Sequence, residues 1–218
     1  LRSWAGLVRW SVLRHKYLLP AFTAIQALFA VAIVYGLALL IPDVDAETAR
    51  YLSSGAWTLG IIAVGCVLAP QITGTSKQEG WTLAALPGIA VGMLAAAFRF
   101  GLDIHVDAVT VAVVLGVQFA TVSIGYAVAF WLPLTATSLV TQVIMIGGLL
   151  FSPITFPAER LPEWASTLHQ FLPFAPIGDL VREAAFRAGD AQLTNLLVIA
   201  AWAVLAYTTA YLALRKRN

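Results

Sequence analysis

Long stretches of this chain lack any side chain that can be charged near neutral pH, and this constrains the fold more than any other feature. Asp, Glu, Lys, Arg and His are missing from residues 18–40, 52–76, 81–98 and 108–158. Hydrophobic residues make up 60% of the 218 positions and charged residues only 11%. A soluble core of this size cannot bury so much apolar surface. The sequence therefore predicts a membrane protein.

The apolar runs have the length of transmembrane helices. A helix needs roughly 20 apolar residues to cross a hydrocarbon core about 30 Å thick. We expect an all-α membrane protein whose six transmembrane helices cover residues 18–41, 52–71, 81–100, 108–132, 135–151 and 193–214. The 218 residues are expected to form a single transmembrane domain. The first run is too long for a cleaved signal peptide, and no small-residue cleavage pattern follows it.

Basic residues are distributed unevenly between the two sides of the predicted bundle. If the N-terminus is cytoplasmic, eight Lys and Arg residues lie on the inner side and five on the outer side, three of them in one long loop. Short flanks rich in Lys and Arg stay in the cytoplasm during insertion. We therefore expect a multi-pass protein with both termini in the cytoplasm.

Residues 1–16 show a helical pattern that differs from the spans. The apolar stripe consists of Trp4, Leu7, Val8, Ser11 and Val12. Arg2 and Arg9 lie on a different face of the same helix. This predicts an interfacial helix whose basic side faces the cytoplasm and anionic lipid headgroups. The alternative is a plain basic flank of the first span, since Trp10 interrupts the polar face.

A proline-rich segment, FSPITFPAERLPEWASTLHQFLPFAPIGDLVREAAF, covers residues 151–186. Pro162 stands where a helix can begin. One apolar stripe at helical spacing consists of Leu161, Trp164, Leu168, Phe171 and Leu172, and a second of Ile177, Leu180, Val181, Ala184 and Ala185. Helices of about ten to twelve residues are too short to span a bilayer. We expect two short amphipathic helices within residues 152–192 that dip into the outer leaflet or cap the bundle, and an ordinary surface loop is the alternative.

The sequence carries no motif for catalysis or for nucleotide binding. It has neither a phosphate-binding GxxxxGK[ST] loop nor an HExxH pair. Its three histidines lie outside the spans, so a serine within a span has no base. Cys66 is the only cysteine and is expected to pack as a small apolar residue. We expect no enzyme activity, no metal or cofactor in this chain and no nucleic-acid partner.

Uncharged spans also restrict the mechanism of any transport. Carriers coupled to protons or ions generally need ionisable groups or broken helices within the bilayer. If this chain moves a substrate uphill, the energy is expected to enter from outside the bilayer. Gln26, Gln118 and Gln142 are uncharged polar residues within the predicted spans, and most such groups are expected to form hydrogen bonds between helices.

Residues 151–186 resemble the segment between the fifth and sixth spans of ABC-2 type permeases, the membrane subunits of bacterial ATP-binding-cassette exporters. The shared pattern is P…P…LP…W…LP…P before an arginine-containing helix, and the daunorubicin and drug-resistance branch is the most similar. The resemblance implies a permease in the bacterial inner membrane that exports an amphiphilic drug, lipid or lipid-linked substrate. It implies two partner ATPase subunits that hold ATP and Mg, and a second permease copy or a paralogue.

The resemblance also implies positions for three sites. The contact with the ATPase subunit is expected at Arg2, Arg9, Lys77, Gln78 and Glu79. The substrate pathway is expected at Gln26, Trp57, Gln142 and Met145. The outer gate is expected at Phe156, Trp164, Phe171 and Phe174.

One departure from the family pattern lies between the second and third predicted spans. The family carries there a cytoplasmic amphipathic segment that begins with an acidic residue and Gly and docks into the ATPase subunit. Here TSKQEG is followed at once by WTLAALPG. We expect that a segment is missing between Gly80 and Trp81, so that their Cα atoms lie further apart than the roughly 3.8 Å of one trans peptide step. The alternative is a different mode of coupling.

Other classes of membrane protein remain as alternatives. An ATP-independent secondary carrier is disfavoured by the uncharged spans, and an intramembrane enzyme by the lack of acid–base groups. A structural or assembly subunit of a membrane complex stays open.

Overall fold

The computed structural model describes residues 24, 27–28, 31–32, 34–36, 39, 44–68, 70, 85–151, 154, 163–164, 167, 172–187 and 193–217. Within these residues the fold is all-helical and contains no strand, which confirms the predicted class. The helices are α1 (Ala46–Ile62), which continues as a π-helical segment (Ala63–Leu68), α2 (Ala85–Phe100), α3 (Ala108–Trp131), α4 (Leu134–Phe151), α5 (Phe174–Phe186) and α6 (Leu193–Arg217). The residues described between Ala24 and Leu39 are helical as well.

Three helical stretches are long and apolar enough to cross a membrane. They are Ala46–Leu68, Ala108–Trp131 and Leu193–Arg215. Ala90–Phe100 and Leu134–Gly148 are shorter apolar helical stretches. The described part of the chain therefore fits a membrane protein with three helices of spanning length, and the number of six spans stays a prediction. The predicted interfacial helix over residues 1–16 and the Gly80–Trp81 step lie outside the described residues.

Aspartate caps fix the first residues of α1 and α3. Oδ1 of Asp45 accepts a hydrogen bond from the backbone N–H of Thr48 at 2.8 Å, and Oδ1 of Asp107 accepts one from that of Thr110 at 2.8 Å. Each cap satisfies an N–H group that a helix start leaves unpaired. The helix of the second predicted span therefore begins at Ala46 rather than at residue 52, because the cap lies ahead of the first apolar residues.

The π-helical segment packs against α3 through two glycines. A Cβ atom added to Gly65 would overlap the side chain of Thr121, and one added to Gly125 would lie 2.5 Å from the carbonyl oxygen of Gly65. The thiol of Cys66 donates a hydrogen bond to the carbonyl oxygen of Thr121 at 3.3 Å. Small residues allow two helix backbones to approach closely. Cys66 is fully buried in this contact, which agrees with its predicted packing role.

Helix α5 packs on α1 and on the N-terminal end of α3. The hydroxyl of Thr110 donates to the carbonyl oxygen of Ala184 at 2.8 Å, and the backbone N–H of His105 donates to that of Ala185 at 2.8 Å. The aromatic rings of Trp57 and Phe186 stack with centroids 5.3 Å apart. We call this end of the bundle the α5 end. α6 packs along α3, where the indole N–H of Trp131 donates to the carbonyl oxygen of Thr209 at 3.1 Å.

The second predicted apolar stripe lies on α5. All five residues of its apolar stripe are buried: Ile177, Leu180, Val181, Ala184 and Ala185. α5 thus caps the bundle, which is one of the two placements expected from the sequence. Of the first predicted amphipathic helix, Glu163, Trp164 and Thr167 are described, and they are helical and exposed.

Glycine substitutions in α3 test the close contact with α1. Gly125→Ala places a Cβ atom against backbone atoms of Gly65 and Cys66, which cannot move aside independently. We expect it to lower the free energy of unfolding by about 1–3 kcal/mol. Gly116→Ala is the matched control, because nothing lies within 4 Å of its added Cβ. It is expected to raise that free energy by about 0.5–1 kcal/mol. Equal effects in thermal unfolding of the detergent-solubilised protein would contradict the packing.

The cap of α1 predicts a dependence of stability on pH. Hydrogen bonds from the hydroxyl and the backbone amide of Thr48 lower the pKa of Asp45 below its ordinary value of 3.8. The stabilisation is therefore present above the unfolded pKa and is lost as the pH falls through the lower folded pKa. Asp45→Asn keeps a capping acceptor but cannot ionise. We expect the difference in unfolding free energy between wild type and variant to shrink from about pH 7 to about pH 2. If the difference in unfolding free energy stays constant between these two pH values, the charge of Asp45 is not its source.

Candidate functional site

Four side chains, three of them buried and one 14% exposed, carry buried polar atoms without a hydrogen-bond partner among the described residues. They are Ser53 and Trp57 of α1, Gln118 of α3 and Arg182 of α5. We call these four residues the polar seam. Buried polar groups in proteins are nearly always hydrogen-bonded, so an unpaired set points to a function or to a group that binds there. The polar seam is therefore the candidate functional site.

Arg182 is held by three neighbours. Its Nε donates to Oγ of Ser54 at 3.0 Å, and its Nη1 donates to Oδ1 of Asp179 at 2.8 Å. Its guanidinium carbon lies 3.6 Å from the ring centroid of Tyr51, a cation–π contact. The Arg182 side chain is 14% exposed and that of Asp179 is 47% exposed. A mostly buried charge is stable only when it is paired and hydrogen-bonded, and these contacts supply both.

One nitrogen of the same guanidinium group is left over. Nη2 of Arg182 is buried and finds no acceptor within the part of the chain that the structure describes. Arginine has five N–H donors in a planar fork and accepts no hydrogen bond. The remaining donors thus favour an oxygen acceptor, and a carboxylate or phosphate fits the fork best.

The other members of the polar seam lie deeper in the bundle. Trp57 is 1% exposed and its indole Nε1 is unpaired within the described residues, although its ring stacks on Phe186. Gln118 is completely buried, and neither the oxygen nor the nitrogen of its amide has a described partner. Ser53 lies one helical turn before Trp57, so the two share a face of α1.

An ion pair joins the end of α5 to the start of α3. Arg187 pairs with Oδ2 of Asp107, the residue whose Oδ1 caps α3. Arg187 adopts a left-handed backbone conformation with φ of 52°, which costs a residue with a Cβ atom about 1–2 kcal/mol. The ion pair and the hydrogen bond from its N–H to the carbonyl oxygen of Glu183 at 2.8 Å hold it there. This contact fixes α5 over the polar seam.

The predicted substrate-pathway residues occupy different environments. Trp57 is buried in the polar seam. Gln142 is exposed on α4, and Met145 is half-buried on the same helix. Gln26 lies outside the described residues. The pathway assignment stays a prediction, and Trp57 is the member that the structure places beside other buried polar groups.

The predicted gate and coupling residues are described only in part. Phe174 is 8% exposed and begins α5, where its ring lies against Gly148 of α4, whereas Trp164 is 61% exposed. The structure thus does not give these two aromatic residues a shared environment. Phe156 and Phe171 lie outside the described residues, as do all five predicted contacts with an ATPase subunit: Arg2, Arg9, Lys77, Gln78 and Glu79. No cluster of His, Cys, Asp or Glu within the described ranges could hold a metal ion.

Ser53 and Arg182 were missed as site residues by the sequence analysis. The sequence does contain a signal for Arg182, because this arginine follows Asp179 by three positions and lies beside the apolar stripe of α5. A partner in α1 could not be inferred, because Ser54 is 128 residues away in the sequence. Ser53 lies at the start of the apolar run over residues 52–71. Its spacing in the sequence does not distinguish it from a serine that only packs between helices.

Replacing Arg182 by Lys tests whether the planar guanidinium group contributes to stability. Lysine keeps the charge but loses the stacked guanidinium and the directed hydrogen bond to Ser54. We expect Arg182→Lys to lower the free energy of unfolding by about 1–3 kcal/mol. Arg99→Lys is the matched control, because Arg99 is exposed and its guanidinium carbon lies 5.3 Å from the ring centroid of Phe100. We expect a change within about 0.5 kcal/mol there. Similar losses in thermal unfolding would show that the Arg182 geometry has no special role.

Comparison with known proteins does not identify this chain. Models of known protein families give no match to it. Curated protein sequences give no match either. A function can therefore be argued only from the geometry of the described helices and from the resemblance carried by residues 151–186.

Proposed function

We propose that this chain is the membrane-spanning permease subunit of an ATP-driven exporter of the ABC-2 type, and that it moves an amphiphilic drug, lipid or lipid-linked molecule out of the cytoplasm. One observation carries the proposal. The segment that resembles this family contains α5, a short amphipathic helix whose apolar stripe is buried and which packs on two helices of spanning length. A surface loop without a role in the bundle has no reason to bury its whole apolar stripe.

The composition of the bundle supports an external energy source. Residues 52–68 of α1, all of α3 and α4, and α6 up to Leu214 contain no Asp, Glu, Lys, Arg or His. A proton or ion relay through the bilayer needs such groups or broken helices lined by carbonyl oxygens. The uncharged helices therefore favour a separate subunit that hydrolyses ATP over an ATP-independent carrier.

The proposal includes six spans, a bacterial inner-membrane location and cytoplasmic termini. The two shorter apolar helical stretches and the helical residues between Ala24 and Leu39 are compatible with the three additional spans. The excess of Lys and Arg on one side supports the orientation. With this topology the α5 end faces outward, and the loop that carries Lys77, Gln78 and Glu79 faces the ATPase subunits.

Coupling in this proposal runs along α1. The loop with Lys77 and Glu79 follows the π-helical segment, whose glycine contact joins α1 to α3. A pull on that loop by the partner subunits would move α1 and α3 together at their C-terminal ends. The separation that admits or releases a substrate would then occur at the other end, where α5 bridges the two helices. A second copy of this chain or a paralogue completes the pathway.

Extraction in a mild detergent tests the proposal. We expect an ATPase subunit to co-purify with the tagged chain and its ATP hydrolysis to be stimulated by lipophilic compounds. The double variant Lys77→Ala/Glu79→Ala is expected to recover about tenfold less ATPase, since charged contacts at an interface hold a partner by amounts of this order. Glu163→Ala is the control, because Glu163 is exposed near α5 and outside the proposed contact.

Two outcomes contradict the proposal. If no ATPase co-purifies and vesicles containing only this chain transport a lipophilic compound on a proton gradient, the chain is a secondary carrier. If no ATPase co-purifies and other membrane proteins do in fixed ratio, the chain is a structural or assembly subunit.

A further inference from the structure

Two of the helices that carry the polar seam, α1 and α3, run parallel. Arg182 and Ala184 of α5 bind Ser54 of α1 and Thr110 of α3, so α5 contacts both helices ahead of their glycine contact. Gly65 meets Thr121 and Gly125 further along both helices, so the two run in the same direction.

Helix geometry gives the positions along this boundary. Ser53 and Trp57 are four residues apart, which corresponds to a rise of about 6 Å along α1. Gln118 lies three residues before Thr121, or about 4.5 Å closer to the α5 end. Along the axes of their helices, Ser53, Trp57 and Gln118 therefore lie ahead of the glycine contact, in the part of α1 and α3 to which α5 binds.

The chemistry of these four side chains is dominated by donors. The guanidinium of Arg182 and the indole of Trp57 can only donate hydrogen bonds, and the hydroxyl of Ser53 and the amide of Gln118 can both donate and accept. The nearest described counter-charge, Asp179, binds Nη1 of Arg182 and is half exposed, which leaves Nη2 for another acceptor. A ligand rich in oxygen acceptors and carrying negative charge satisfies such a set, whereas a cation does not.

Access to the polar seam is controlled from one end. The glycine contact holds the backbones of α1 and α3 together near Gly65 and Gly125, where no side chain can enter. At the opposite end the helices are joined through α5, by side-chain and backbone hydrogen bonds and by the pair of Arg187 with Asp107. The ring of Phe186 in α5 stacks on Trp57, so a shift of α5 would uncover Trp57 while Arg182 moves with its own helix.

We infer that the polar seam binds the oxyanion headgroup, phosphate or carboxylate, of an amphiphile that enters from the α5 end. The inference rests on the proposed function in that it names the substrate class of the permease. Its geometry is independent of any ATPase subunit. The alkyl chain of the amphiphile lies along the apolar surface of the helices, while Arg182 binds the charge and Trp57 and Gln118 donate to further oxygens.

Binding of three probes that share one alkyl chain tests the inference. The purified chain is placed in nanodiscs of zwitterionic lipid and titrated calorimetrically with dodecyl phosphate, dodecanol and dodecyltrimethylammonium. We expect dodecyl phosphate to bind about tenfold more tightly than the other two, because charge-assisted hydrogen bonds distinguish it from them. Equal affinities for the three probes overturn the inference.

Variants of the polar seam separate ligand binding from structure. Trp57→Phe removes the indole donor and keeps a ring that can stack on Phe186, and Gln118→Leu removes an unpaired amide at similar volume. We expect each variant to weaken dodecyl phosphate binding about tenfold. We also expect Gln118→Leu to raise the melting temperature by roughly 2–4 °C, because it relieves a buried polar group without a partner. A lower melting temperature with unchanged binding shows instead that water or a second copy satisfies the amide, and overturns the inference.

Thr141→Val is the matched control. Thr141 is a buried polar residue of α4, and its hydroxyl already donates to the carbonyl oxygen of Thr137 at 2.8 Å. It lies outside the polar seam, so the affinity for dodecyl phosphate should stay the same. A tenfold loss of dodecyl phosphate affinity in this variant would show that any change of a buried polar residue disturbs binding. The results for Trp57→Phe and Gln118→Leu would then no longer support the inference.

The source of the headgroup is distinguished by adding anionic lipid to the nanodiscs. Competition with dodecyl phosphate supports a membrane lipid as the ligand, and unchanged binding supports a free amphiphile. Neither result depends on an ATPase subunit. If dodecyl phosphate binds more tightly than the other probes but no ATPase co-purifies, the proposed function is rejected and the binding site is kept. If an ATPase co-purifies but the chain does not discriminate the probes, the binding site is rejected and the proposed function is kept.

Discussion

The contact between Gly65 and Gly125 determines how the rest of the bundle can be arranged. It brings the backbone of the π-helical segment onto α3, with the thiol of Cys66 bound to the carbonyl oxygen of Thr121. Ahead of this contact α5 packs on both helices, and it brings an arginine next to a serine of α1. π-helical turns are rare and occur frequently at functional sites, which agrees with a segment that both packs a bundle and precedes the proposed coupling loop.

The all-helical class followed directly from the sequence, because apolar length and the lack of charge are properties of consecutive residues. The ends of α3 were predicted within one residue for the same reason, since Asp107 caps its start and Pro133 follows its last turn. The start of α1 was predicted too late. Glu47 and Arg50 resemble loop residues by charge, but they lie in the first turns of a capped helix whose end reaches beyond the apolar core. The buried face of α5 could be predicted because helical spacing alone selects it.

The candidate site could be predicted only in fragments. Trp57 was selected as a pathway residue, and Gln118 was noted as an uncharged polar residue within the spans. What makes them a site is the third helix, which brings Arg182 to Ser54 across 128 residues of sequence. Contacts at such separation depend on how helices pack, and helical spacing gives the buried face of each helix but not its neighbour. Gln142 and Met145 illustrate this limit, because their residue types suited a pathway while α4 leaves one exposed and the other half-buried.

The double use of Asp107 has a consequence for how the bundle opens. One carboxylate oxygen caps the first turn of α3 and the other binds Arg187, the residue after α5, so one side chain contacts both turns. Loss of that carboxylate weakens both turns together although about 80 residues separate them in the chain, while the hydrogen bonds from Thr110 and His105 to α5 remain. Arg187 in its left-handed conformation adds to this coupling, because the backbone can return to a relaxed geometry as soon as the carboxylate is gone. A change at this one carboxylate is therefore transmitted to two helices that are distant in the sequence.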